Sequence, residues 1–362
     1  MKRSNVGRAA ALAAALLCLL CAPVSAAVPT SAKSAILMDA ATGRVLEEQN
    51  ADARCPVAST TKIMTGLLVC EAGRLDREVC VPPEAVGVEG SSMYLKAGEK
   101  LTVRDLLYGL MLRSGNDAAA ALAIAEAGSV PAFAERMNER AAQLGLQGTH
   151  YANPHGLDSA ENYSTARDLA RLARFALENE TFRAVVSAKS VTAAGRTLTN
   201  HNKLLWRYPG AIGVKTGYTR SAGRILVSAA ERNGRRLIAV TIADPDDWAD
   251  HARLLDYGFA RFSERTLVRA GETVGEIPVL GGTRDTVRLR AMLPFCWPLA
   301  EDEQPELRLC APQLLFAPCG TVRASLEVWL DGVRIGSIPL EPVEPIPALP
   351  KEKNLLERIF GG

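Results

Sequence analysis

The sequence predicts an α/β or α+β architecture: an antiparallel sheet built from the two ends of a domain, a helical cluster inserted between them, and then a small all-β domain. Three observations lead there. Strand-like runs at residues 35–48 and 211–243 bracket a stretch whose apolar residues recur at helical spacing. The segments 224–231 (RILVSAAE) and 236–243 (RLIAVTIA) flank Asn233–Gly234, the strongest short hairpin signal. From about residue 265 the helical pattern disappears, and short strand-like runs alternate with Gly and Pro.

The 362 residues allow two domains or three. Hydrophobic residues make up 48% and charged residues 23%, enough apolar material for a sizeable core and too much for a disordered chain. Lys plus Arg (42) nearly balances Asp plus Glu (40). That leaves no basic field, so no nucleic-acid partner is expected. The four histidines, His150, His155, His201 and His251, show no ligand spacing, HExxH does not occur, and CxxC occurs only as Cys18–Cys21, inside the apolar run near the start. No metal and no cofactor are expected.

At the start, Lys2, Arg3 and Arg8 precede an apolar run at 9–22 and the small residues Ser25, Ala26 and Ala27. This is the pattern of a secretory signal occupying residues 1–26, which makes the protein exported and extracytoplasmic. The apolar run is short for a membrane span. Cys18 and Cys21 follow leucine, so lipidation is not expected. Cys55, Cys70, Cys80, Cys296, Cys310 and Cys319 remain after cleavage. In an exported chain they permit disulfides, and buried free thiols fit the pattern equally well.

Residues 27–264 form the first domain. Residues 35–48 read as two strands around a turn at Ala41–Gly43. Pro56 precedes a helix carrying Ser59, Lys62, Ile63, Met64, Leu67 and Leu68. Thr102 and Asp105 make a capping-box pattern before LLYGLMLR. Asp117 to Ala127 is a nearly all-apolar helix, expected to be buried. Residues 131–144 are amphipathic, and Gly145 can end them. Ser164 and Arg167–Asp168 open another helix, through Leu177. Residues 211–218 are a strand, the hairpin follows, and a helix runs from Trp248 to Phe262.

Residues 265–341 read as the β-rich domain, with strands near 266–268, 286–289, 322–330 and 334–339. A Pro-rich linker, Pro342–Pro350, and a short amphipathic tail complete 342–362. In the tail Leu355, Leu356, Ile359 and Phe360 share a helical face, with Lys351, Lys353 and Arg358 available for anionic headgroups. That pattern suits a weak, reversible membrane-surface contact.

Three short motifs carry chemistry. In Ser59-Thr60-Thr61-Lys62, helical spacing puts Ser59 and Lys62 on one face. A serine hydroxyl needs a base, and a lysine amine serves only if burial or a neighbouring cation lowers its pKa. Ser59 is the only serine in the chain followed three residues later by lysine. In Ser114-Gly115-Asn116, a turn between two core helices can aim Ser114 and Asn116 into a cleft, for proton relay and for holding a substrate amide. In Lys215-Thr216-Gly217, strand alternation puts Lys215 and Gly217 on one side. Gly217 admits a ligand to the backbone, so that an extended peptide can pair with the strand, and Lys215 offers charge to a carboxylate.

The order SxxK, SxN, KTG resembles the penicillin-recognising serine enzymes, whose motif set is S-x-x-K, S-D-N and K-T-G. With PVASTTKIMT (Pro56–Thr65), NPHGLD (Asn153–Asp158) and STARDLA (Ser164–Ala170), the chain is similar to the D-alanyl-D-alanine carboxypeptidases, the low-molecular-mass penicillin-binding proteins. The middle motif here reads SGN. The resemblance implies a serine β-lactamase/transpeptidase-like domain that removes the terminal D-alanine of peptidoglycan stem peptides and is acylated by β-lactams. Carried over residue by residue, Ser59 would be the nucleophile, Lys62 its base and Ser114 the relay to the leaving group. Asn116 would hold the peptide, and Lys215 and Thr216 the terminal carboxylate. The backbone N–H groups of Ser59 and Tyr218, just after Gly217, would form the oxyanion hole. Such families often carry histidine where Tyr218 stands. His155 is expected to be structural, and the loop Pro82–Lys100 to border the cleft.

Two other readings share the motifs. A class A β-lactamase needs a glutamate for deacylation, and no E-x-x-L-N pattern follows Asn116. A penicillin-binding sensor would keep the fold and be acylated without turnover.

Overall fold

Residues 28–318 and 322–349 are described by a computed structural model. The expected signal peptide, Cys18, Cys21, Cys319 and the tail Lys351–Phe360 lie outside the described residues. The chain divides into two compact units between Tyr257 and Gly258.

The first unit is organised by an antiparallel sheet of β1 (Ser34–Asp39), β2 (Val45–Gln49), β3 (Ala211–Thr219), β4 (Gly223–Arg232) and β5 (Arg235–Ile242), in the order β2-β1-β5-β4-β3. The N-terminal strand β1 therefore lies beside β5, with Ile36 opposite Val240, and β3 is an edge. The β4–β5 hairpin turns on Asn233 (φ 53°) and Gly234 (φ 77°), the two left-handed positions that a two-residue loop needs. β1 is buried throughout. It is covered on both faces, so its sequence is a continuous apolar run instead of an alternating one.

Between β2 and β3 comes the helical cluster: α1 (Lys62–Ala72), α2 (Val103–Leu112), α3 (Asn116–Ala127), α4 (Val130–Gln143), α5 (Ala166–Glu178) and α6 (Glu180–Ser187). The Thr102 capping box forms bond for bond. Thr102 Oγ1 accepts from Asp105 N (3.0 Å), and Asp105 Oδ2 accepts from Thr102 N (3.1 Å). α3 is buried along most of its length, as its alanine-rich sequence predicts. α5 starts one step later than its expected opening at Ser164. Ser164 pairs with Cys55 in a short strand, its hydroxyl bonds Thr149 (2.7 Å), and Thr165 takes over as the cap. The helix expected after Pro56 is also split: residues Ala58–Thr61, with Ser59, form a 3₁₀ turn before α1. α7 (Asp247–Arg261) closes the run of helices and stops before Phe262, which already belongs to the next strand.

After the end of α7, from Phe262 on, the second unit is all-β among its described residues. β6 (Phe262–Val268) pairs with β9 (Phe295–Ala300). A six-stranded sheet joins β7 (Thr273–Leu280), β8 (Thr286–Ala291), β10 (Glu306–Cys310), β11 (Leu315–Phe316), β12 (Ala324–Leu330) and β13 (Val333–Pro342), in the order β10-β12-β13-β8-β7-β11. The sequence reading missed β7, β9 and β10; Gly275, Pro278 and Pro298 lie within β7 and β9 and mimic turn punctuation there. The stretch expected as a linker is built into this unit up to Leu349. Ile346 is in the core at 2% exposure, Thr283 N donates to Pro347 O (3.1 Å) and Leu349 N to Gly281 O (2.9 Å). All five described cysteines are free thiols, and burial, followed by nearby Glu71, pushes Cys70 up to about 12.

Candidate active site

The site forms where the start of α1, the α2–α3 turn and the edge strand β3 converge. The 3₁₀ turn holds Ser59 half-buried, and Lys62 follows as the first residue of α1, fully buried. Lys62 Nζ has three oxygen neighbours: Asn116 Oδ1 (2.7 Å), the backbone carbonyl of His155 (2.6 Å) and Ser59 Oγ (2.9 Å). A neutral amine has two N–H groups and one lone pair. The two carbonyl oxygens take the N–H groups, and the lone pair is left facing the Ser59 hydroxyl. Electrostatics favour that neutral state: burial, and then the charge of Lys215, hold Lys62 well below the usual lysine range, against a smaller opposing pull from Asp117.

Lys215 is 2% exposed, and burial lowers it to about 7. Its Nζ donates to Thr216 O (2.8 Å), so the ammonium is folded back along its own strand.

Ser114 and Asn116 come from the tight turn between α2 and α3. Ser114 has φ 60°, a left-handed backbone that serine adopts only under constraint, and it is buried. Asn116 begins α3; its Nδ2 donates to Glu89 O, so its amide bridges Lys62 and the 89–95 loop. Asp117 fastens the same loop, accepting from Ser92 Oγ (2.6 Å), Met93 N (3.0 Å) and Leu95 N (3.1 Å).

Gly217 is needed for contact. A Cβ there would stand 3.2 Å from Ser59 N and 3.3 Å from Ala58 Cβ, tighter than side chains ordinarily tolerate. The edge strand therefore runs directly against the N–H of Ser59. Gly156, in NPHGLD, closes the other side: a Cβ there would fall 1.8 Å from Ala58 O, and its φ is 88°. His155 acts through its carbonyl. Its ring accepts from Leu157 N (3.3 Å), and burial, with Lys62 nearby, lowers it to about 4.

Ser59, Ser114, Thr216, Gly217 and Tyr218 line one cavity of about 450 Å³. Lys62, Lys215 and Asn116 support it from the protein side. The sequence reading missed five further lining residues, His201, Arg224, Ile225, Asp247 and Trp248. Arg224 is locked to Asp247 by two bonds (2.6 and 3.2 Å). Burial, Lys215 and Arg113 lower His201 to about 4, so it is a neutral ring at pH 7. None of the five lies in a motif. The only signal for Arg224 was its place opposite Tyr218 in the hairpin register.

A serine hydroxyl 2.9 Å from a buried lysine amine of lowered pKa, with backbone donors at a helix start, has the parts that acyl transfer needs. Comparison with known proteins agrees. The family model of D-alanyl-D-alanine carboxypeptidases matches residues 22–246. The chain belongs to the D-alanyl-D-alanine carboxypeptidase family. This carboxypeptidase is 35% identical over 277 residues to DacF of Bacillus subtilis, covering 73% of the chain and 71% of the relative. It is 34% identical over 331 residues to DacA of Haemophilus influenzae, covering 86% and 84%. Among solved structures it superposes on penicillin binding protein 5 of Haemophilus influenzae with a TM-score of 0.76 at 31% identity, covering 88% of this chain and 98% of that one. A mutant Streptomyces K15 DD-transpeptidase gives 0.61 at 40% identity, covering 64% and 99%. The fold expected from the motifs, a serine transpeptidase-like domain followed by a β-rich region, is thereby met. The protein is a serine D-alanyl-D-alanine carboxypeptidase of peptidoglycan metabolism.

Proposed function

We propose that this carboxypeptidase removes the terminal D-alanine of exported peptidoglycan stem peptides through an acyl-enzyme on Ser59, with Lys62 as general base. The observation that carries the assignment is the Lys62 amine, its pKa held well below the usual lysine range by burial, placed between Asn116 Oδ1 and His155 O with Ser59 Oγ at 2.9 Å.

Ser59 gives its proton to Lys62 Nζ as Oγ attacks the carbonyl carbon of the penultimate residue. The N–H groups of Ser59 and Tyr218 stabilise the resulting oxyanion. Collapse breaks the peptide bond, and the proton passes from Lys62 through Ser114 to the departing amine of D-alanine. A water then attacks the ester and gives its proton to Lys62, and Ser59 is released with it. Asn116 has one amide N–H beyond the bond to Glu89 for the substrate backbone, which pairs with the free edge of β3. Thr216 and Lys215 receive the terminal carboxylate. A β-lactam enters by the same attack and stays as a slowly hydrolysed ester, since no glutamate pattern for deacylation follows Asn116.

The signal-like start supports action outside the cytoplasm, and the tail pattern supports weak contact with an anionic bilayer. Release of D-alanine from a peptide ending in D-Ala-D-Ala, with Ser59→Ala as control, tests the reading. Labelled penicillin should appear on the peptide containing Ser59 and vanish in the variant. Label on another serine overturns the nucleophile; label without D-alanine release makes the protein a sensor.

A further inference from the structure

Of the large apolar and aromatic side chains in the described residues, Tyr94 is the most exposed, at 80%. Its neighbours Met93 and Leu95 are at 3% and 4%. Tyr94 also has φ 59°, a left-handed backbone that suits glycine or asparagine and strains an aromatic residue. Exposing an aromatic ring and straining its backbone both cost stability, and such residues persist where the surroundings over-determine them.

The surroundings here do so. The Asp117 carboxylate accepts from the backbone on both sides of Tyr94, at Met93 N and Leu95 N. Ser92 Oγ donates to Asp117 (2.6 Å) and accepts from Tyr94 N (2.8 Å). Arg196, itself held by Glu99 (2.7 and 3.0 Å), reaches the Tyr94 carbonyl (3.4 Å). Met93 fills the space over Gly109, where a Cβ would stand 1.7 Å from its sulfur. The ring is thus held outward by a rigid loop.

That loop is part of the cavity rim. Ser91, three residues before Tyr94, lines the cavity, and its carbonyl accepts from Asn116 N (2.7 Å). The hairpin carrying Arg196 leads on to His201, another lining residue. The peptide end of the substrate belongs to the cavity and to the β3 edge, where backbone hydrogen bonds and Gly217 provide for it. Tyr94 is on neither. A planar apolar face with a polar tip suits the C–H face of a pyranose, with the hydroxyl near its substituents.

We propose that Tyr94 is a stacking platform for an amino-sugar ring of the glycan that carries the stem peptide. The proposal rests on the carboxypeptidase reading above and adds a saccharide subsite to it. Three substrates test it: a short peptide ending in D-Ala-D-Ala, a free pentapeptide stem, and the same pentapeptide on its disaccharide. Tyr94→Ala should lower kcat/KM about tenfold on the disaccharide substrate, mainly through KM, and leave the two sugar-free substrates unchanged. Tyr94→Phe should keep the sugar effect. Tyr94→Gly, which relieves the backbone, should lose it as Tyr94→Ala does. Equal loss on all three substrates would assign Tyr94 to loop structure, loss already on the free pentapeptide would make it a peptide contact, and no loss on any would remove the subsite. Each of these outcomes overturns the proposal. Failure of the wild-type chain to cleave the short peptide would instead count against the carboxypeptidase reading.

Discussion

The two units bury different things. Every buried polar or charged residue among the described ones belongs to the first unit, the last being His251. The core of the second unit is made of Val268, Ile277, Leu289, Val328, Ile338, Leu340 and their apolar neighbours, and its ion pairs, such as Arg290–Glu341 and Arg308–Glu306, sit among exposed side chains. The first unit even buries two lysines, Lys62 and Lys215, near each other. Burying an amine without a counter-charge opposes folding, and the surrounding apolar core has to offset it. The same desolvation lowers the pKa of Lys62, which is what the proposed base requires. Stability and chemistry are therefore in conflict in one unit and absent as a conflict in the other.

The largest effect should come from exchanging the buried lysines. Lys62→Arg puts a permanently charged group in place of an amine of lowered pKa and loses the base, because a guanidinium does not deprotonate near neutrality. Acylation by penicillin should fall about a thousandfold or more. Lys215→Arg keeps a carboxylate partner and should retain measurable turnover. Equal losses would erase the distinction between base and anchor.

The pH dependence of folding sharpens the contrast further. Lys215 is near 7 in the folded chain and about 10.4 when unfolded. Between those values the unfolded state holds the extra proton, so the stability of the first unit should rise with pH across that window. Below about 7 both states are protonated and the burial cost is fully felt. Hydrogen exchange at pH 7 and pH 9, compared by peptide after correction for intrinsic rates, should show added protection in β3–β5 and none in β7–β13. Lys215→Met should reduce the rise and leave the share that belongs to Lys62; a matching gain in both units would contradict the account.

Core truncation in the second unit tests its independence from the chemistry. Leu326→Ala, at a position 3% exposed, should cost about 2–5 kcal/mol of that unit's stability while hydrolysis of a short peptide at 25 °C continues. Loss of hydrolysis in step with unfolding of β7–β13 would join the two units functionally. The smallest effect belongs to the cap of α2. Thr102→Ala removes the acceptor for Asp105 N and should cost about 1 kcal/mol, read as a lower Tm of the first unit.

Much of this was legible in the residues. The Asn233–Gly234 hairpin, the Thr102 capping box and the helix stop near Gly145 are written in local sequence, since each depends on bonds spanning a few residues. The two-strand start at 35–48 was legible for the same reason. Illegible were β7 and β9, whose glycine and prolines imitate loops, β10, whose five residues are all exposed and show no apolar face, and the packing of Ile346, which depends on β7 and β8 being there to receive it.

For the site, sequence alone determined which chemistry is available: Ser59 and Lys62 one turn apart, a polar turn at Ser114–Asn116, and a strand carrying Lys215 and Gly217. Tertiary structure decided what that chemistry becomes. Lys62 meets Asn116 and His155 across 54 and 93 residues of chain, and it is those two carbonyl oxygens that turn its lone pair to Ser59. The lowered basicity is likewise a property of the assembled core, because desolvation acts only once α1, α3 and β3 exclude water from the amine. Arg224, Asp247 and Trp248 reached the cavity for the same reason: spacing along a chain records local geometry, and convergence of distant segments leaves no periodic trace in it.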